Sequence, residues 1–208
     1  MIRGIMLAVL FSLMQLIPMA AHGDGRLNPD AMPICSLIIT EMTEGRIDLK
    51  NAHQISAAIA RAGNRHFGKV TCGDMWLYMA IVHVESGFRT NIVNNQNCRG
   101  MFQIHAPSWA NKFGLRYADL LDPETNADCG VRVFKYYLRL YKRVVPALSA
   151  YNSDHPAVST NYALAVLSTR KKIMKRYVQI YRALSEARIA AASALSFCGG
   201  TLPCEPVH

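Results

Sequence analysis

The sequence predicts a mainly α protein, on three observations. Apolar residues recur three and four positions apart along most of the chain from Ala31 onward, as one face of a helix requires. Runs of β-branched residues are few, and Gly, Pro and Asn gather at the breaks between periodic stretches. With 208 residues, 51% hydrophobic and 18% charged, the chain has the apolar content to bury a core. That composition excludes a wholly disordered chain.

Ile34, Leu37, Ile38 and Met42 predict a first helix, which Gly45 stops. Asn51 to Ala62 predict a second, with Ile55, Ala58, Ile59 and Ala62 on one side and Gly63-Asn64 at its end. Asp74 to Glu85 form the third and hold Trp76-Leu77-Tyr78-Met79-Ala80-Ile81-Val82, a run with no polar face. A helix apolar all round is a buried core helix, and Gly87 supplies its left-handed exit. Asn91 to Gln103, rich in Asn and containing Gly100, predict a loop or small hairpin. Ala106-Pro107 opens a further helix, where proline's missing N–H is tolerated. Asp122-Pro123-Glu124 starts a long helix through Val133, Tyr136 and Leu140, with a break expected at Pro146. Short helical structure around Ala147 to Tyr151 precedes a last helix from about Ser159 through Leu184, which the Ala-rich Glu186 to Leu195 segment extends. There is no internal repeat.

Ile5 to Met19 are nearly all apolar, preceded by Arg3 and followed by Pro18 and small residues, the pattern of a secretory signal peptide. Ala21-His22-Gly23 places the cut before Asp24. An uncleaved anchor is the competing reading, for which the stretch falls slightly short of the roughly 20 residues needed. Contact with the inner membrane is expected only through this segment. The formal charge is +9, from 23 Lys and Arg against 14 Asp and Glu; losing residues 1–23 removes Arg3 alone and leaves +8 on the exported, periplasmic part. All six cysteines lie past the cut, and the even count predicts disulfides formed in an oxidising compartment. Sequence does not choose among the fifteen connectivities; Cys98 with Cys129 and Cys198 with Cys204 are the pairs expected. No C-x-x-C and no i, i+4 histidine pair exists, so neither a metal site nor a cofactor is expected.

Glu85 is the first chemical candidate. It closes a nearly continuous apolar helix just before a turn and a polar loop, a setting that desolvates a carboxyl, raises its pKa and suits a general acid. An exposed Glu at a frayed helix end is the plain alternative.

The residues around it decide between these. Glu85-Ser86-Gly87-Phe88, Gly100-Met101-Phe102-Gln103-Ile104 and Ala150-Tyr151-Asn152 stand in the order of the E-S-x-F, G-L-M-Q-I and A-Y-N motifs. The chain thereby resembles the transglycosylase SLT domain family, the lysozyme-like lytic transglycosylases, over Cys72 to Leu184. The resemblance implies a fold of the α+β lysozyme superfamily with a small or absent β-hairpin, to which the cysteine count adds disulfides. With the signal-like segment and the cysteines, it divides the chain into a signal peptide (1–23), an N-terminal helical extension (24–71), the SLT domain (72–184) and a C-terminal tail with a Cys pair (185–208). It further implies that Glu85 is the catalytic acid and base, that Gln103 binds a sugar substituent, that Tyr151 and Asn152 line the site, and that Ser86 supports the turn. Phe102 falls on the apolar wall, where Met101-Phe102 replaces the usual Leu-Met. Asn94 and His105 stand where many members have Ser and Met, departures that bear on subsite preference. Without the family pattern, Gln103 and Asn152 read as residues that satisfy loop backbone, and Tyr151 as a core aromatic.

Hydrolysing glycosidases generally need a second carboxylate opposite the acid, and there is none from Ser86 to Ala118. Asp74, eleven residues back along the helix, is about 16 Å away. The resemblance implies a lyase: Glu85 protonates the bond between MurNAc and GlcNAc, then acts as base toward the muramic C6 hydroxyl to give a 1,6-anhydro end. Peptidoglycan glycan strands are the implied partner, with a secretion, conjugation or pilus apparatus as a further one. A goose-type lysozyme-like hydrolase and a non-catalytic wall-binding assembly protein are the alternatives. Two readings from other classes fall away. His83-Val84-Glu85 matches half of a zinc deaminase signature, but the P-C-x-x-C half is absent. Arg170, Lys171, Lys172, Lys175, Arg176, Arg182 and Arg188 suggest nucleic acid, yet such runs are usually solvated helix faces, and an exported chain meets anionic wall polymer instead.

Overall fold

A computed structural model of the protein describes residues 31–198. The expected signal peptide and the Cys198–Cys204 bond lie outside the described residues and side chains. Along the chain run α1 (Ala31–Met42), α2 (Leu49–Phe67), α3 (Cys72–Ser86), a two-stranded hairpin of β1 (Cys98–Arg99) and β2 (Ile104–His105), and the short α4 (Ala106–Trp109). Two 3₁₀ turns (Asn111–Phe113 and Tyr117–Leu121), α5 (Pro123–Tyr141), α6 (Val144–Ser153) and α7 (Thr160–Cys198) complete the order. Residues 31–177 form one compact unit, and residues 178–198, the remainder of α7, belong to a second. No helix among the described residues is long and apolar enough to cross a membrane.

Helix α1 buries Ile34, Cys35, Ile38 and Ile39 and packs on α2, which packs in turn on α5. Ser36 Oγ lies 3.1 Å from Ser56 Oγ and donates to Met32 O at 2.8 Å, so the buried hydroxyls of the α1–α2 seam are satisfied. Asp48 caps α2 by accepting from the Asn51 N–H at 2.7 Å. The helix runs five residues past the expected stop, Ala62, and ends at Gly68 (φ 76°). Gly63 is thus an interior glycine, required because a Cβ there would sit 2.1 Å from Val70 Cγ2. A glycine serves close packing as well as a helix end, and here it serves the first.

Thr71 and Asp74 form a reciprocal capping box at the start of α3. Met75, Tyr78, Met79, Ala80, Ile81 and Val82 are all buried, as an all-round apolar helix requires. Trp76 faces Tyr177 of α7 at 5.3 Å, and Arg176 of α7 pairs with Glu41 of α1 at 2.6 Å. Pro146 breaks nothing: α5 ends earlier, where Lys142 is left-handed (φ 58°), and Pro146 lies in the first turn of α6, where a missing N–H is harmless. The hairpin pairs Cys98 with His105 and Arg99 with Ile104 in antiparallel register.

The expected Cys98–Cys129 disulfide is not formed. Cys98 on β1 and Cys129, buried on α5, are both free thiols, as are Cys35 and Cys72. Burial raises the Cys35 and Cys129 thiols to about 12, so both stay protonated as small apolar packing groups.

Candidate active site

Glu85 sits on the last turn of α3. Gly87 (φ 59°) and Phe88 (φ 66°) follow in left-handed conformation and turn the chain away from the helix axis. A non-glycine residue held there is strained by roughly 1–2 kcal/mol. The complete burial of the Phe88 ring offsets that strain and fixes the turn. Ser86 is buried as well, and its hydroxyl donates to Val82 O at 3.2 Å.

A cavity of about 180 Å³ opens beside Glu85. Asn94, Gln103, His105, Tyr151 and Asn152 line it, as do Gln96, Cys98, Ile104, Trp109, Val133 and Asp154. Six of the eight residues singled out from sequence therefore meet at one cavity. Ser86 and Phe102 do not: both are buried behind the wall, where neither can touch a ligand.

The wall is held by two buried devices. Asn126 on α5 donates through Nδ2 to Arg99 O and Leu120 O and accepts from the Phe102 N–H, each at 2.8 Å. It thereby ties the end of the hairpin to the helix bundle. Gly100 (φ 70°) passes so close that a Cβ would stand 2.4 Å from Leu120 O. Phe102 then packs flat on Gly130, where a Cβ would be 2.2 Å from the ring. On this frame Gln103 (φ 47°) donates from Nε2 to Gly100 O at 2.9 Å, and its amide oxygen has no partner among the described residues. Asn94 Oδ1 accepts from the Gln96 and Cys98 N–H groups, both at 2.9 Å, and shapes the loop before β1. His105 Nδ1 lies 2.7 Å from Ser108 Oγ.

Burial raises the Glu85 carboxyl to about 7, against a smaller opposing effect from Tyr162, whose hydroxyl donates to Oε1 at 2.6 Å. Tyr151 donates to Phe102 O at 2.8 Å, and burial, followed by the nearby Glu85, pushes its phenol well up. Burial likewise raises the Tyr162 phenol. The site therefore holds one carboxyl able to give or take a proton near neutrality, beside two phenols that remain donors. Asp154, at the end of α6 with φ 57°, also lines the cavity and accepts a hydrogen bond from the Tyr137 hydroxyl.

Sequence reading missed Tyr162, Asp154 and Trp109. Tyr162 lies 77 positions from Glu85, and nothing local marks it. Asp154, two residues after Asn152, lay beyond the stretch searched for carboxylates. His83, the other half of the deaminase pattern, has a buried Nδ1 without a hydrogen bond and a ring 5.7 Å from that of Phe88. Burial, then Lys172, lowers its pKa, which suits a neutral packed imidazole. Among the described residues no three His, Cys, Asp or Glu gather to hold a metal. Lys171, Lys172 and Lys175 are exposed along α7, as on an ordinary solvated face.

Tyr162→Phe removes the hydrogen bond that favours the charged Glu85, so its pKa rises further. The alkaline limb of a pH–activity profile is expected to move to higher pH than the wild-type value near 7, which a profile from pH 5 to 9 measures.

A mainly helical body with one hairpin and a single desolvated Glu at a polar cavity defines a lysozyme-like protein. The family model described as the transglycosylase SLT domain matches residues 73–174. The chain thus carries a domain of the lysozyme-like lytic transglycosylase family, whose members act on peptidoglycan. Comparison with curated proteins found no match, and comparison with solved structures found none.

Proposed function

We propose that the protein is an exported lytic transglycosylase that cleaves the β-1,4 bond between MurNAc and GlcNAc and leaves a 1,6-anhydroMurNAc end. The observation that carries this reading is Glu85, half-buried, raised to about 7 and hydrogen-bonded by Tyr162 at the wall of a polar cavity. A carboxyl with that pKa is populated in both forms at neutral pH, as one residue serving first as acid and then as base requires. Protonated Glu85 delivers its proton to the glycosidic oxygen as the C1–O bond breaks, and the substrate N-acetyl group supports the developing cation. Glu85, now ionised, takes the proton of the C6 hydroxyl as that oxygen closes on C1. Tyr162 keeps its hydrogen bond to Glu85 through both steps and stabilises the ionised intermediate state. Gln103, with a free amide oxygen, and Asn152 suit the amide and hydroxyl groups of the sugars. Export to the periplasm and local wall opening for a secretion, conjugation or pilus apparatus complete the reading, supported by the signal-like segment and the SLT domain.

Hydrolysis is a second reading, and Asp154 favours it, because it supplies the cavity with the second carboxylate that an activated water needs. Mass spectrometry of muropeptides released from purified peptidoglycan separates the two. Anhydro ends, one water lighter than reducing ends, are expected from wild type and from Asp154→Asn alike. Reducing ends, lost in Asp154→Asn, would establish the hydrolase, and no released product would leave a wall-binding protein.

A further inference from the structure

A second cavity, of about 430 Å³, is lined in part by the turn that follows Glu85. Half of it comes from the helical extension that precedes the SLT match: Arg46 in the α1–α2 turn, then Asn51, Gln54 and Ile55 of α2. The other half is Phe88 to Asn91, directly after α3, with Pro123. Its chemistry is one-sided, because Arg46 and Arg89 line it and no carboxylate does.

Both side chains are exposed, and each makes one hydrogen bond to the backbone. Arg46 donates from Nε to Thr43 O at 3.0 Å and Arg89 from Nε to Ser86 O at 2.8 Å. Neither forms an ion pair among the described residues, and the Nη groups of both remain available. Two carboxylates next to the lining residues are engaged elsewhere. Asp48 caps α2 through the Asn51 N–H and Nδ2, and Glu124 pairs with Arg61. Each arginine, bonded through Nε, leaves both Nη groups for a planar carboxylate. Side-chain amides of Asn51, Gln54 and Asn91 around an apolar floor of Ile55 and Phe88 are the surroundings a peptide backbone needs.

Arg89 is four residues from Glu85, a chain span of at most about 14 Å. A peptide branching from the sugar at the scissile bond covers that distance with four extended residues at roughly 3.5 Å each. We infer that this cavity binds the acidic stem peptide of the glycan strand through its carboxylates on Arg46 and Arg89, and that the N-terminal extension exists in part to complete it. The inference rests on the reading of the cleft as a peptidoglycan-cleaving site.

The test has two arms. In the first, the full-length protein is titrated calorimetrically with a synthetic stem peptide that has free carboxylates and no sugar, and with the same peptide amidated. Amidation, and separately the double substitution Arg46→Gln with Arg89→Gln, are each expected to weaken binding at least about tenfold, the weight of one charged hydrogen bond. The amidated peptide needs no variant to fold. Equal affinity for both peptides, unchanged binding by the double variant, or equal displacement by inorganic phosphate at the peptide's concentration would overturn the site. In the second arm, cleavage of peptide-bearing strands is compared with that of strands stripped by an amidase. Wild type is expected to prefer the former, and the double variant to lose about tenfold of that preference; an unaltered preference counts against the site. Wild-type protein that cleaves neither strand would refute the transglycosylase reading, while the titration still decides the cavity.

Discussion

Glu85→Gln is expected to reduce release of soluble muropeptides about a thousandfold while strand binding persists. General acid–base catalysis by a positioned side chain contributes roughly 10²–10⁴-fold, and the proposed route asks one residue for both proton transfers. Glutamine keeps the shape and can still accept the Tyr162 hydrogen bond, so the cavity is expected to stay intact. The same substitution is expected to stabilise the fold at alkaline pH. The Glu85 carboxyl is raised from 4.5 to about 7 on folding, so between those values the folded protein binds more protons than the unfolded chain. Stability contributed by this group therefore falls as pH rises through that window, by up to about 3 kcal/mol above pH 7. Melting curves at pH 8 should show the variant unfolding later than wild type, with the difference vanishing below pH 4.5. A variant that is fully active would remove Glu85 from the mechanism, and one no more stable at pH 8 would show that folding does not raise its pKa.

Asn126→Ala is expected to be the most damaging single change outside the cavity. It strips two buried hydrogen bonds and one partly buried one, and leaves Arg99 O, Leu120 O and the Phe102 N–H without that partner. Buried groups orphaned in this way cost about 1–3 kcal/mol each, and a total of roughly 3–5 kcal/mol lies at the severe end for one substitution. For a chain of this length that corresponds to a fall in Tm of about 10 °C. Activity is expected to fall beyond what unfolding explains, because the same bonds hold the backbone of the Gly100–Gln103 turn. Thermal melts paired with kcat measured well below the transition test both parts. A loss under 1 kcal/mol would show that the hairpin is held by other contacts.

Much of the helical plan was legible because helices announce themselves locally. The all-apolar run from Trp76 to Val82 could only be a buried helix, and Gly87 could only be its exit. The errors came where one residue type serves two purposes. Gly63 looked like a stop and is a point of close packing; Pro146 looked like a break and occupies a helix start. The cavity was legible where its residues stood in ordered motifs, at Glu85, Gln103 and Tyr151-Asn152. Ser86 and Phe102 belong to the same motifs, yet sequence order does not say which members of a turn face inward.

The sequence by itself determined the helical class, the one carboxyl set at the end of an apolar helix, and the family to which residues 73–174 belong. Only the tertiary structure decided what surrounds that carboxyl. Tyr162 reaches it from α7, Asp154 enters the cavity from the end of α6, and Arg46 and Arg89, 43 residues apart, line one second cavity. The reason is physical: periodicity and capping are set by neighbours three or four residues away, whereas desolvation and charge depend on whichever side chains the packed helices bring within a few ångströms.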